Sequence, residues 1–191
     1  LMRALRQFIA FVAISALFVS TALSAGSIKF VSTADFALTP QGFALAFQPW
    51  MNKSRYSLPR LFVFNSAGKL VAAIGGYSKE LPQVLDKVFA KKTTDDRYPT
   101  LAALLTQSKD AATGAAKRKE FATSQFVLVE FSAEWCAPCH LLRRDVVAYQ
   151  AAHPELKFAY AVFDADMSGR PPEEQTAIRK AMGVTSLPKH P

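Results

Sequence analysis

Residues 126–139 read FVLVEFSAEWCAPC. The run from Phe126 to Phe131 is apolar except for Glu130, and predicts a buried strand that carries a single carboxylate. Trp135-Cys136-Ala137-Pro138-Cys139 follows at once and opens a segment, Ala137 to Ala152, with Leu141, Leu142, Val146 and Tyr149 at helical spacing. Pro138 suits the first turn of that helix, where a missing backbone donor costs nothing. A strand that hands two cysteines to the head of an amphipathic helix is an α/β arrangement, and these are the only two cysteines in the chain.

Two intervening residues let the thiols meet within one helical turn, so a disulfide can close and reopen with little backbone movement. At the helix start, the unpaired N–H groups and the dipole favour Cys136 as a thiolate, while Cys139 lies a turn deeper and can resolve a mixed disulfide. Trp135 offers an apolar ring to shield the pair and a surface on which substrate can rest. Two other readings compete. A zinc site needs four ligands, and His140, His153 and His190 supply no second paired spacing. An inert structural disulfide fits an oxidising compartment, but so short a loop is a poor staple.

Glu130 precedes Cys136 by six residues on the same strand. Facing the helix, it would be a partly buried carboxylate with a raised pKa, suited to take the Cys139 proton as that thiol attacks; facing outward, it is a strand charge reaching solvent. His140 either adds positive charge beside the thiolates or sits on the exposed face of the helix.

Working outward, Lys157 to Phe163 is another strand, and Pro172 to Met182 is a short helix led by Glu173 and Glu174 and ended by Gly183. Upstream, IKFV at residues 28–31 is a short strand, with a break at Pro40. GFALAFQPWMNKSRYSLP has no clean periodicity and gives a helix and a loop. LFVF at 61–64 and Leu70 to Ile74, joined by Asn65-Ser66-Ala67-Gly68-Lys69, form a hairpin with Gly68 suited to a positive φ. Ser78 to Ala90 is an amphipathic helix with a serine available to cap it. KKTTDDRYP at 91–99 has the composition of a linker, and Leu101 to Phe121, with Gly114 in its middle, gives one interrupted helix or two short ones. A weak repeat relates Lys29-Phe30 and Ser57-Leu58-Pro59-Arg60 to Lys157-Phe158 and Ser186-Leu187-Pro188-Lys189.

The segment 126–139 resembles the active-site strand and helix of the thioredoxin superfamily, in particular its exported members and the C-terminal domain of the membrane thiol-disulfide interchange protein. The resemblance implies a thioredoxin-like sandwich with Cys136 as exposed nucleophile, Cys139 as buried resolver and Glu130 as the buried acid, where many members have aspartate. It also implies a cis-proline opposite the disulfide that holds substrate backbone. Pro188, after GVTSL, and Pro59, after RYSL, compete for that place. The expected site is therefore catalytic Cys136, Cys139, Glu130 and Pro188, with Trp135, Pro138, Leu187 and Pro59 as substrate contacts.

The order of elements departs from the family. Residues 100–191 hold the cysteine-bearing half, whereas the hairpin and helix that should follow it lie earlier, in residues 26–90, across the linker at 91–99. Without those strands the central strand would keep an open apolar edge. A circular permutation, a dimer in which a neighbouring copy supplies the segment, and an incomplete piece of a tandem protein would each explain the order.

Residues 1–25 form a leader. Arg3 and Arg6 precede an almost wholly apolar stretch from Phe8 to Leu23, and small residues follow. This is the pattern of a signal peptide cleaved after Ala22 or Ala25, with a retained membrane anchor over residues 8–25 as the rival. Either places the rest outside the cytoplasm, in a periplasm by the chemistry above, free or held at the inner membrane. Over the 191 residues, the 50% hydrophobic content excludes a disordered chain. Two of the 23 basic residues lie in the leader, leaving +6 of the formal +8 on the remainder. That charge is scattered and follows no groove-binding motif, which argues against nucleic acid. GKLVAAIGG lacks the spacing of a phosphate loop, so no cofactor or metal is implied, and electrons should come from another protein's thiols. The expected function is a thiol-disulfide oxidoreductase that reduces disulfides of exported proteins. A protein-binding or chaperone-like module with an idle disulfide is the alternative.

Overall fold

The computed structural model describes residues 29–31, 38–51 and 58–183. Within them five strands, β1 (Lys29–Val31), β2 (Arg60–Asn65), β3 (Leu70–Gly75), β4 (Phe126–Ser132) and β5 (Phe158–Asp164), form one mixed sheet in the order β1-β5-β4-β2-β3. The helices are α1 (Pro40–Met51), α2 (Leu81–Phe89), α3 (Leu101–Thr106), α4 (Ala111–Phe121), α5 (Ala137–Ala152) and α6 (Pro172–Met182). The chain is thus a mixed α/β protein. The leader lies outside the described residues, as do Ser57, Leu187 and Pro188. Among the described residues no helix is long and apolar enough to cross a membrane.

The central strand β4 explains its own composition. It runs parallel to β5 and antiparallel to β2, so neither edge is open, and both faces are covered by helices, which is why its sequence is nearly all apolar. Val127, Val129 and Phe131 join Phe62, Phe64 and Phe163 in the core beneath α1, α3, α4 and α6. Leu128 turns the other way, with Leu61, Val63, Tyr160 and Val162, beneath α2 and α5. Aromatic rings lock the first core: Phe131 meets Phe47 at 4.9 Å and Phe62 at 5.7 Å between centroids, both edge-on, pairs worth about 0.5–1.5 kcal/mol each beyond their burial.

The hairpin forms as its turn residues dictate. Asn65 Oδ1 accepts from the N–H groups of Ala67 and Lys69, both at 3.0 Å, and Gly68 adopts φ 71°. Residues 91–99 are irregular but fastened to this hairpin: Asp95 N donates to Leu70 O at 2.9 Å, and Lys69 pairs with Asp96. Strands from both sides of that segment therefore share one sheet, and this chain's own β2 closes the edge of β4.

Two helix boundaries differ from the sequence reading. The helix α2 starts at Leu81 with Glu80 at its cap position and no side-chain cap. Ser78 Oγ instead accepts from Glu80 N at 3.2 Å within the preceding turn, because Pro82 belongs in the first turn and so sets the start later. The segment 101–121 is two helices, and the break falls at 107–110 rather than at Gly114. Thr100 caps α3 and Asp110 caps α4. Gly114 lies inside α4, where a side chain would collide with the Leu105 carbonyl of the helix beside it.

Of the weak repeat, Ser57 and Ser186-Leu187-Pro188-Lys189 lie outside the described residues. Among the described residues, β1 and β5 are parallel neighbours, Lys29 opposite Ala161, and α1 packs against α6.

Candidate active site

The end of β4 turns through Ala133, whose carbonyl accepts from Cys136 N at 3.1 Å, and Cys136 then occupies the N-cap position of α5. Pro138 falls in the first turn, as its chemistry requires. Cys139 N donates to Cys136 O at 2.9 Å, which brings the two Cα atoms to 5.2 Å, and the thiols are joined as a disulfide. Because Cys136 caps the helix, a thiolate formed there on reduction faces the positive end of the dipole. The disulfide is well covered: Cys139 is fully buried and Cys136 is 4% exposed. Ala133, Leu58 and the half-buried Trp135 enclose it, while Ala137 and Pro138 stay exposed beside it.

The neighbouring strand supplies the other wall. The register places Arg60 opposite Phe131, so Pro59 and Leu58, the residues just before β2, run alongside the turn that carries the cysteines. The Leu58–Pro59 peptide is cis, and Leu58 packs on the disulfide. Pro59, one of the two prolines that compete in the sequence, therefore lies beside this site. Pro188 and Leu187 lie outside the described residues.

Glu130 points to the α5 face of the sheet, with Leu128 and Ser132 as its neighbours on that face, and is completely buried. Tyr160 of β5 donates its hydroxyl to Oε2. The other oxygen, Oε1, has no hydrogen-bond partner among the described residues. Burial pushes the carboxyl above its ordinary value, and the hydroxyls of Tyr160 and Ser132, with the charges of Arg143 and His140, oppose that shift. Arg143 and His140 belong to the first two turns of α5, so the carboxyl lies within electrostatic reach of the segment that holds Cys139. Burial, and then the charge of Glu130, raise the Tyr160 phenol, which keeps the proton on tyrosine. Arg143 also donates to Ser132 Oγ at 3.3 Å, tying α5 to the end of β4.

His140 is exposed, and its Nε2 lies 2.6 Å from the Glu134 carbonyl. A carbonyl only accepts, so Nε2 carries the hydrogen, and the ring straps the loop before Cys136 to α5. Among the described residues no group of three His, Cys, Asp or Glu side chains is arranged to hold a metal ion.

No family model, curated protein or solved structure matches this chain. The case for function therefore rests on the site.

That site unites Cys136, Cys139, Trp135, Pro138 and Pro59 around one disulfide and sets Glu130 beneath the same helix. Sequence reasoning missed Leu58, Tyr160, Ser132 and Arg143. A signal for Tyr160 existed: a phenol in the apolar run FAYAVF needs a buried acceptor, and the apolar core strand 126–131 carries one carboxylate, Glu130.

Proposed function

We propose that this chain exchanges dithiol for disulfide through Cys136 and Cys139, and that residues 29–183 form a thioredoxin-like domain whose elements occur in permuted order. The observation that carries this reading is the disulfide itself, closed at the N-cap of α5 and walled by Leu58 and Trp135. The sheet order supports the permuted reading, since the cysteine-bearing strand is central and the hairpin beside it precedes it in sequence.

In the reducing direction, which Ala137-Pro138 between the cysteines favours, the Cys136 thiolate attacks a substrate disulfide. A Cys136–substrate bond forms and one substrate thiolate leaves. Cys139 then loses its proton to Glu130 and its sulfur attacks the Cys136 sulfur, which closes the protein disulfide and releases the second substrate thiolate. Two electrons have passed to the substrate, and the leaving thiolates take protons from water. A dithiol on a redox partner protein restores the reduced state. Substrates are disulfides of exported proteins, and the leader directs the domain to the periplasm, free or anchored at the inner membrane.

One observation favours a second reading, a binding module with an idle disulfide: Cys136 is 4% exposed. Exchange requires Leu58 or Trp135 to yield as the substrate sulfur approaches. Cys136→Ser in a protein of unchanged thermal stability decides between them. Loss of all catalysed insulin-disulfide reduction supports exchange; a wild-type protein that reduces nothing faster than free dithiothreitol does, yet binds unfolded clients equally with and without Cys136, establishes the binding module.

A further inference from the structure

We propose that Tyr160 is the positioning residue of the resolving step: by committing Oε2 of Glu130 it leaves Oε1 as the oxygen that takes the Cys139 proton. This rests on the exchange reading above and goes beyond it by dividing the work between the two oxygens of one carboxyl.

The argument begins with the register. Parallel pairing sets Tyr160 opposite Leu128 and Val162 opposite Glu130, so Tyr160 and Glu130 are diagonal neighbours on one face, within reach of long side chains. Both are buried, and the phenol donates to Oε2. Hydrogen bonds and charges reach the carboxyl from three elements. From β4 comes Ser132, from α5 Arg143 and His140, and from β5 Tyr160. On β2 the residue opposite is Leu61, and α2 turns Leu81, Leu85 and Val88 into the same core. Tyr160 is the phenol that holds Oε2, the Ser132 hydroxyl also favours the charged carboxyl, and Oε1 is buried without a hydrogen-bond partner among the described residues.

Such an oxygen is costly while charged and is relieved by a proton. When the Cys139 sulfur attacks the Cys136 sulfur, the Sγ–H proton of Cys139 passes to Oε1, the Cys136–substrate bond breaks, and the substrate thiolate leaves. Tyr160 keeps its own proton throughout. Its hydrogen bond favours the ionised carboxylate before the step and fixes which oxygen is open.

The test is Tyr160→Phe, followed by mixing reduced protein with an aromatic nitrobenzoate disulfide. The first coloured thiolate reports attack by Cys136, and the second reports resolution by Cys139. Without the phenol the carboxylate loses a charge-assisted hydrogen bond, so the second release slows on the order of tenfold at neutral pH and recovers at alkaline pH, with the first release unchanged. Carbon-13 titration of the Glu130 carboxyl in the oxidised protein gives a reading independent of turnover, and should move to higher pH in Tyr160→Phe. An unchanged profile, or a loss equal at every pH, overturns the role of Tyr160 while leaving exchange intact. A wild-type protein that releases neither thiolate overturns both readings.

Discussion

Two glutamates in this molecule have been driven in opposite directions by their surroundings. Glu130 is buried under α5 and meets a phenol that can only donate a neutral hydrogen bond. Glu174, in the first turn of α6, accepts from Lys109 at 2.7 Å and from Arg170 on one oxygen. Burial raises both carboxyls, but for Glu174 the hydrogen bonds and charges of Lys109 and Arg170 outweigh it and leave the group below its ordinary value. For Glu130 burial prevails. Depth and partner charge together set the sign: the deeper Glu130 is raised by burial, and the shallower Glu174, paired with two cations, stays ionised as a strut.

The largest expected consequence concerns exchange. Glu130→Gln keeps an acceptor for Tyr160 but cannot take a proton, and should slow release of the second substrate thiolate by about 10²-fold, the ordinary scale of a lost general base. Glu174→Gln removes a carboxylate from the opposite face of the sheet and should leave that rate unchanged. Stopped-flow release kinetics on the two variants check the pair. Equal losses in both would mean that Glu130 contributes to folding alone.

The strut should matter most to stability. Arg170 is 9% exposed, and its guanidinium carbon lies 4.6 Å from the Phe43 ring centroid. Arg170→Ala therefore removes a cation–π contact and strands the partly buried Glu174 with Lys109 alone. A loss of about 2–3 kcal/mol in urea unfolding is expected. Lys109 is too exposed to replace what the guanidinium supplies from inside the core.

How far the sequence reveals this contrast depends on the distance over which each contact is made. The strand 126–131, the helix after it and the hairpin 60–75 are legible because apolar runs, turn residues and helical spacing act locally. Leu58 beside the disulfide and Tyr160 beside Glu130 are not, since both need the strand register, and the Tyr160–Glu130 pair spans 30 residues. The break between α3 and α4 escapes for another reason: residues 101–121 are rich in alanine and lysine and present no strong face, so the Asp110 cap sets the boundary. Glu130 itself was conspicuous, because a carboxylate in an apolar strand conflicts with its surroundings. Nothing local distinguishes Glu174 from any glutamate at a helix start.

The smallest effect is also the most direct expression of the contrast, a difference in sign. Glu174 has a folded pKa below its ordinary 4.5, so its contribution is present above that value and is lost as pH falls through the folded pKa. Glu130 has a folded pKa above 4.5, so its contribution is present below the ordinary value and is lost as pH rises through the folded pKa. Relative to the wild-type oxidised protein, Glu130→Gln should thus become more stable with rising pH, by about 1 kcal/mol once the wild-type carboxyl is charged, because a buried anion has been removed. Glu174→Gln should become less stable over the same direction, by about 1 kcal/mol or less for a pair near the surface. Urea midpoints taken from pH 4 upward should separate the two variants in opposite senses and bring them together at the acid end. A gap between Glu130→Gln and the wild type that keeps widening through neutral pH would show that Glu130 stays protonated in the folded protein, and would remove the ionised carboxylate that proton transfer from Cys139 requires; parallel curves would show that folding does not shift its titration.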